Sequence, residues 1–117
     1  MEQFILSVLN KYFGPDDNSG QLQRSAKYFA NIGLSDISVS GAWIHSLKDS
    51  PNIHAISEKK AIYSGLVAEV HECKVLDILL YTESGKIVDI EFAAPLDDFP
   101  QDFTKFRFSQ TPVSKKS

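Results

Sequence analysis

Acidic side chains are concentrated in one stretch of the sequence, and carboxylates are groups that bind cations, transfer protons or attract basic partners. Residues 69–102 hold nine of the 15 acids and two of the 12 bases, so this stretch has a net charge of −7 while the whole chain has −3. The nine acids are Glu69, Glu72, Asp77, Glu83, Asp89, Glu91, Asp97, Asp98 and Asp102. This asymmetry predicts a surface that attracts a basic partner.

Two helices are predicted at the N-terminal end of the chain. Over residues 2–13, apolar side chains recur with helical spacing, and Gly14-Pro15 ends the pattern. A second helix is predicted from about residue 22 to 31, with Gly33 at its C-terminal cap. Residues 16–20 are predicted to form the loop between them.

From Leu34 onward, the apolar period changes to two, which predicts strands. Strands are predicted over 34–46, 61–72, 75–81, 87–93 and 104–110, with a short one over 53–56. The fold class is therefore α+β, with two N-terminal helices packed on a mainly antiparallel meander sheet. Residues 1–110 form one domain by length, and 111–117 are expected to be a frayed polar tail.

The length of the turn after Tyr81 decides which acids become neighbours. A four-residue loop would place Asp77 opposite Ile90 and bring a charge onto the apolar face. A three-residue loop, Glu83-Ser84-Gly85, leaves one face wholly apolar and puts glycine at the left-handed position. The three-residue loop is therefore preferred.

That register predicts a row of three carboxylates across adjacent strands. Asp77 would lie opposite Glu91, and Glu69 would lie beside Asp77 if the preceding strand turns near Cys73. Opposed side chains are about 4.5–5.5 Å apart at Cβ, and like charges at that distance are destabilising. Water and salt, a basic strand, a metal or a partner must offset the repulsion.

Two structural interpretations compete with a binding role on this face. Lys105 and Arg107 on the last strand would flank Glu91 in a surface salt ladder, worth about 0–1 kcal/mol for each pair. Trp43 fits either the core or an interface, and its mid-sheet position favours the core.

Candidate catalytic and metal-binding groups are few. Glu69, His71 and Cys73 alternate on a predicted strand, but a structural zinc site needs four ligands, and the chain has one cysteine. His71 and Cys73 point the same way without meeting, so they do not form a nucleophile–base pair. We therefore assign no catalytic residue, no metal ligand and no cofactor, and we expect the chain not to be an enzyme.

The location of the protein is predicted from what the sequence lacks. With one cysteine, no internal disulfide forms, and a reducing compartment fits. No signal peptide and no apolar run of membrane-spanning length is present. We expect a cytoplasmic protein that contacts neither a membrane nor nucleic acid directly.

Two stretches resemble a known class of bacterial proteins. They are Gly41-Ala42-Trp43-Ile44, and Leu76-Asp77-Ile78-Leu79-Leu80 followed by the Ser84-Gly85-Lys86 turn and Ile87-Val88-Asp89-Ile90-Glu91. Over roughly residues 22–95, the chain is similar to small bacterial proteins with helices followed by a meander, including immunity proteins of contact-dependent growth inhibition and related polymorphic toxin systems. These families share no catalytic residues.

The resemblance implies a function for the acidic surface. An immunity protein binds its cognate toxin, in many cases a nuclease with a basic cleft, and blocks it. The expected partner-binding residues are Glu69, Asp77, Tyr81, Asp89, Glu91, Asp97, Asp98 and Asp102. A metal-dependent hydrolase that uses the carboxylate cluster, and a non-enzymatic adaptor domain, remain as alternatives, and the oligomeric state is open.

Overall fold

Two helices cover one face of a six-stranded sheet in the computed structural model, which describes residues 1–14 and 20–112. The helices are α1 (Glu2–Phe13) and α2 (Gln21–Ile32). The strands are β1 (Ser35–Ser38), β2 (Gly41–His45), β3 (Lys60–Val70), β4 (Lys74–Glu83), β5 (Lys86–Ala93) and β6 (Phe106–Gln110). The predicted α+β class is confirmed. The predicted loop at 16–19 and tail residues 113–117 lie outside the described ranges.

Each helix ends at a glycine because the backbone there takes a conformation that suits residues without a Cβ. Gly14 and Gly33 both have φ of 83°, and their N–H groups donate to Asn10 O and Phe29 O, at 2.8 and 3.0 Å. These bonds satisfy carbonyls that the last helical turn would leave without a partner. Both helices agree with the sequence periodicity to within one residue at each end.

The sheet is antiparallel throughout, in the order β1-β2-β5-β4-β3-β6. Strands β3, β4 and β5 form the predicted meander, β2 pairs with the outer side of β5, and β6 returns to pair with β3. Gly41 lies where β2 approaches β5, and a Cβ there would be 2.5 Å from Phe92 O. Only glycine fits this approach without a shift of the backbone.

Three strand predictions are wrong. Residues 34–46 are not one strand, because a turn at Val39-Ser40 folds them into the hairpin of β1 and β2. Residues 53–56 are not a strand either; a single bridge joins the neighbouring Asn52 to Lys86. The predicted extension of β3 to residue 72 also fails, because His71–Cys73 form a 3-10 turn.

The hairpin between β4 and β5 is tighter than predicted. Glu83 pairs with Lys86, so the loop has two residues, Ser84 and Gly85, instead of three. Both have positive φ, 52° and 84°, as the favoured two-residue hairpin turn requires. The three-residue loop is therefore wrong.

A bulge in β5 restores the alternation that this tight turn would otherwise break. Thr82 pairs with Ile87, whereas Tyr81 pairs with Asp89, so Val88 is an additional residue on β5. Without the bulge, Asp89 would oppose a residue of the buried face. With it, Leu80 and Ile78 pair with Ile90 and Phe92, so these four residues lie on the buried face as predicted, although their partners differ. Ile87 is buried on that face in place of Val88, which the three-residue loop would have placed there opposite Leu80.

Phe4 of α1 lies at the centre of the core. It is fully buried, and its ring centroid lies 5.0–6.4 Å from those of four other phenylalanines. These rings come from β5, β6 and the segment between them: Phe92, Phe103, Phe106 and Phe108. The core therefore joins the first helix to the last strand.

We expect Phe4→Ala to lower the free energy of unfolding by about 3–5 kcal/mol, because the cavity would lie where these rings meet. Urea denaturation followed by circular dichroism measures the change. Leu96→Ala is the matched control; Leu96 is 73% exposed, and we expect a change within about 0.5 kcal/mol. Equal losses in the two variants would contradict this account of the core.

Candidate functional site

The predicted row of carboxylates is not formed. Both hairpins are shifted by two residues from the expected register, so no acid of the row lies directly opposite another. The observed neighbours are Ala93 and Val67 for Asp77, Leu79 and Trp43 for Glu91, and Val75 and Arg107 for Glu69. Diagonal neighbours lie about 7–8 Å apart, so the repulsion is weaker than the prediction required.

The predicted salt ladder on Glu91 is also wrong. Strand β6 pairs with β3 at one edge of the sheet, and two strands separate it from β5. Arg107 instead pairs with Glu69, with Nη2 to Oε1 at 2.7 Å. Because the Arg107 side chain is 72% exposed, this pair contributes about 0–1 kcal/mol, and it engages one oxygen of the Glu69 carboxylate.

The face of the sheet that the helices leave uncovered carries an aromatic–acidic patch. We use this name for Asp36, Trp43, His45, Tyr81, Asp89 and Glu91. Their strands are β1, β2, β4 and β5. Strand pairing places Trp43 opposite Glu91, and Asp89 between His45 and Tyr81. Aromatic and acidic side chains are thus interleaved, and this arrangement separates the acids.

His45 is held between two carboxylates. Its Nδ1 lies 2.6 Å from Asp89 Oδ1 on β5, and its Nε2 lies 2.9 Å from Asp36 Oδ2 on β1. The hydrogen bond to Asp89, followed by the one to Asp36, raises the pKa of His45 above its ordinary 6.5. Asp36 reaches the ring from a left-handed backbone conformation with φ of 53°, which aspartate tolerates better than most residues.

Trp43 lies on this exposed face and not in the core, so the prediction of a core tryptophan is wrong. Its ring stacks on His45 at 5.6 Å with 15° between the planes, and it lies 5.7 Å from the Tyr81 ring. The alternation along β2 explains this position: Ala42 and Ile44 point into the core and are buried, so their neighbours point outward.

Tyr81 and Glu91 form the second polar contact of the patch. The Tyr81 hydroxyl donates to Glu91 Oε1 at 2.8 Å. This hydrogen bond, followed by burial, raises the pKa of Tyr81 above its ordinary 10.0. One oxygen of the Glu91 carboxylate is occupied in this way.

The acids of the 97–102 loop are engaged to different degrees. Asp98 lies 3.3 Å from Lys74 Nζ. Asp102 accepts from the Thr104 N–H and hydroxyl at 2.9 and 2.6 Å, and these bonds lower the pKa of Asp102. Asp97 is exposed. Asp102 therefore stabilises its own loop. Asp97, at the other end of the loop, is the more accessible of these two acids.

The arrangement of His71 and Cys73 differs from the alternation that the sequence suggested. Both lie in the 3-10 turn between β3 and β4, where Glu72 and Cys73 have positive φ. Within residues 1–14 and 20–112, no group of three or more His, Cys, Asp or Glu side chains is arranged to hold a metal ion.

A shallow recess of about 530 Å³ adjoins the patch at its Tyr81 end. Ile62, which is 52% exposed, contributes an apolar wall. Val88 is in the lining because the bulge turns it away from the core, next to Asp89. The recess offers an apolar surface directly beside the carboxylates.

Three members of the patch were not predicted as site residues: Asp36, Trp43 and His45. The sequence does contain a signal for two of them. A turn before Gly41 makes Ala42 and Ile44 one face of a new strand, and Trp43 and His45 then share the other face. The left-handed conformation of Asp36, which brings its carboxylate to the ring, leaves no such signal.

The patch has the chemistry of recognition. Both His45 nitrogens contact carboxylates, so neither is placed to take a proton from a substrate. Trp43 and Tyr81 offer flat aromatic surfaces beside Asp89 and Glu91. Lysine and arginine side chains bind such combinations through cation–π contacts and charge-assisted hydrogen bonds.

Among the described residues, no helix is long and apolar enough to cross a membrane. No protein-family model matches the chain, and no curated protein and no solved structure matches it.

Proposed function

We propose that this chain is an immunity-type inhibitor that binds a basic toxin domain, such as a nuclease, through the uncovered face of its sheet. The observation that carries the proposal is the aromatic–acidic patch, in which Trp43 and Tyr81 lie among Asp89 and Glu91 on one exposed surface. The class of partner comes from the resemblance described above. The cytoplasm, where such a toxin would act, is part of the proposal.

The composition of the patch supports a protein partner. Tryptophan, tyrosine and arginine dominate the energetics of protein interfaces, and here the two aromatic residues are in place for an arginine of a partner. The recess beside Tyr81 would receive an apolar side chain next to that contact. Asp77 lies on the same face, so the acidic surface continues past the patch.

The charge distribution supports rapid association. Residues 69–102 have a net charge of −7, and an acidic surface attracts a basic cleft over distances of about one Debye length, ~8 Å at physiological salt. Steering of this kind raises association rates above the neutral ~10⁵–10⁶ M⁻¹s⁻¹. A nuclease toxin has a cleft that binds phosphate, and the carboxylates would take the place of phosphate there.

We expect Glu91→Lys to weaken binding to the toxin domain at least about tenfold, which is ~1.4 kcal/mol, because it places a positive charge at the centre of the patch. Isothermal titration calorimetry with a basic nuclease toxin domain that co-purifies with this chain measures this. Glu2→Lys is the matched control, since Glu2 is exposed on α1 and the charge change is the same. Unchanged affinity for Glu91→Lys would refute the proposal.

We also expect Trp43→Ala to cost at least about 2 kcal/mol of binding free energy, because an aromatic residue surrounded by hydrogen-bonding groups is typical of an interface anchor. The same calorimetric titration measures it. Thermal unfolding is the control: Trp43 is only partly buried, so the variant should remain folded with a native circular dichroism spectrum. A folded variant with native affinity would place the interface elsewhere.

The alternative of a metal-dependent hydrolase predicts a different result. A cation that binds only the native state must raise the unfolding midpoint. We expect Mg²⁺, Mn²⁺ and Zn²⁺ to leave the midpoint unchanged in a thermal-shift scan, because the register separates the carboxylates that the alternative would need. A saturable rise that Asp89→Asn removes would favour the hydrolase.

A further inference from the structure

We propose that His45 is a proton-dependent clamp that fastens the edge strand β1 to the sheet and shields Asp36 and Asp89 from a basic partner. The clamp would regulate the patch, and the shielding of the two acids rests on the proposed function. One imidazole ring contacts carboxylates on two different strands, β1 and β5.

The two contacts together favour a charged ring. A neutral imidazole carries one N–H group, so it donates to one carboxylate and presents a lone pair to the other. An imidazolium donates from both nitrogens. Distances of 2.6 Å to Asp89 and 2.9 Å to Asp36 are those of charge-assisted hydrogen bonds.

Loss of the proton affects the two contacts unequally. The contact to Asp89 is the shorter, and Asp89 is 34% exposed, against 68% for Asp36. The neutral ring therefore keeps its N–H on Asp89 and releases Asp36. Asp36 lies within β1, which is paired with β2 only at Ser35 and Ser38. The release removes a contact that holds the middle of this short strand.

The surrounding groups determine the direction of the pH dependence. The titratable groups that face the ring are Asp36 from β1, Asp89 and Glu91 from β5, and Tyr81 from β4. The carboxylates favour the imidazolium, so the clamp is closed below the ordinary pKa of 6.5 and opens as the pH rises through the raised value.

Opening also changes the charge of the patch. The group of Asp36, His45 and Asp89 changes its net charge from −1 to −2 when the ring loses its proton. A lysine or arginine that reaches Asp89 repels the imidazolium, so binding of a basic partner releases a proton. The affinity for such a partner should therefore increase with pH over the range in which His45 loses its proton. Histidine side chains commonly change charge between about pH 5 and pH 8.

Trp43 provides a direct readout of the clamp in the free protein. It is the only tryptophan in the chain, and its ring stacks on His45. A stacked imidazolium quenches indole fluorescence more than the neutral ring does. We expect the emission to rise with pH, with a midpoint above 6.5. A midpoint at or below that value would overturn the proposal.

Variants separate the clamp from general pH effects. Asp36→Asn keeps the left-handed backbone accessible and removes one charge. We expect Asp36→Asn and Asp89→Asn each to move the fluorescence midpoint to lower pH, and His45→Gln to abolish the transition. His54→Gln is the matched control, because His54 is exposed and its backbone N–H donates to Gln21 of α2, outside the patch. A native midpoint in Asp36→Asn would overturn the clamp.

Nuclear magnetic resonance tests the consequence for β1. The amide shifts of residues 35–38 should follow the same midpoint as the Trp43 emission in the native protein and remain constant in His45→Gln. A pH-dependent change in the Trp43 emission without a change in these amide shifts would refute the fastening of β1.

A hexa-arginine peptide tests the shielding of the acids. Its affinity should increase between about pH 5 and pH 8 for the native protein, with a smaller increase for His45→Gln. Equal pH dependence in both proteins would overturn the shielding. If the peptide does not bind at any pH, the proposed function fails, whereas the titration of the free protein still decides the clamp.

Discussion

The pairing of β4 with β5 determines both faces of the sheet. The two-residue turn at Ser84-Gly85 begins the ladder, and the bulge at Val88 returns β5 to the alternation that buries Ile90 and Phe92. A slip of one residue would bring Asp89 onto the core side, where an unpaired carboxylate is very costly to bury. The position of the acids on the outer face is thus fixed by the same pairing that builds the core.

The outer face of the sheet carries several acidic side chains, and some of them have no basic side chain opposite them on the adjacent strands. Glu91 lies between Trp43 and Leu79, and Asp77 lies between Ala93 and Val67. These two acids therefore have uncharged neighbours on the adjacent strands, so neither lies directly opposite another acid. This spacing reduces the electrostatic repulsion between the carboxylates, and the outer face keeps its negative charge.

Much of the architecture could be predicted from local pattern. The helices, the meander and the apolar face of β4 follow from periodicity, because burial selects every second or every third to fourth residue. The partners across strands could not be predicted in the same way. A shift of two residues preserves the alternation, and the Val88 bulge has no compositional mark, so Asp77 and Glu91 were wrongly placed opposite each other. The contacts of His45 could not be predicted, because one of them depends on the left-handed backbone of Asp36 on the neighbouring strand.

The left-handed backbone at Asp36 has a consequence for how the molecule behaves in concentrated solution. Strand β1 is an edge of the sheet. Ile37 within it and Val39 in the turn that follows it are 63% and 66% exposed. A straight edge with such side chains would template strand addition from another molecule and lead to aggregation. The irregular backbone interrupts the row of free N–H and C=O groups within four residues. The residue that completes the histidine clamp thus also keeps an apolar edge from recruiting further strands.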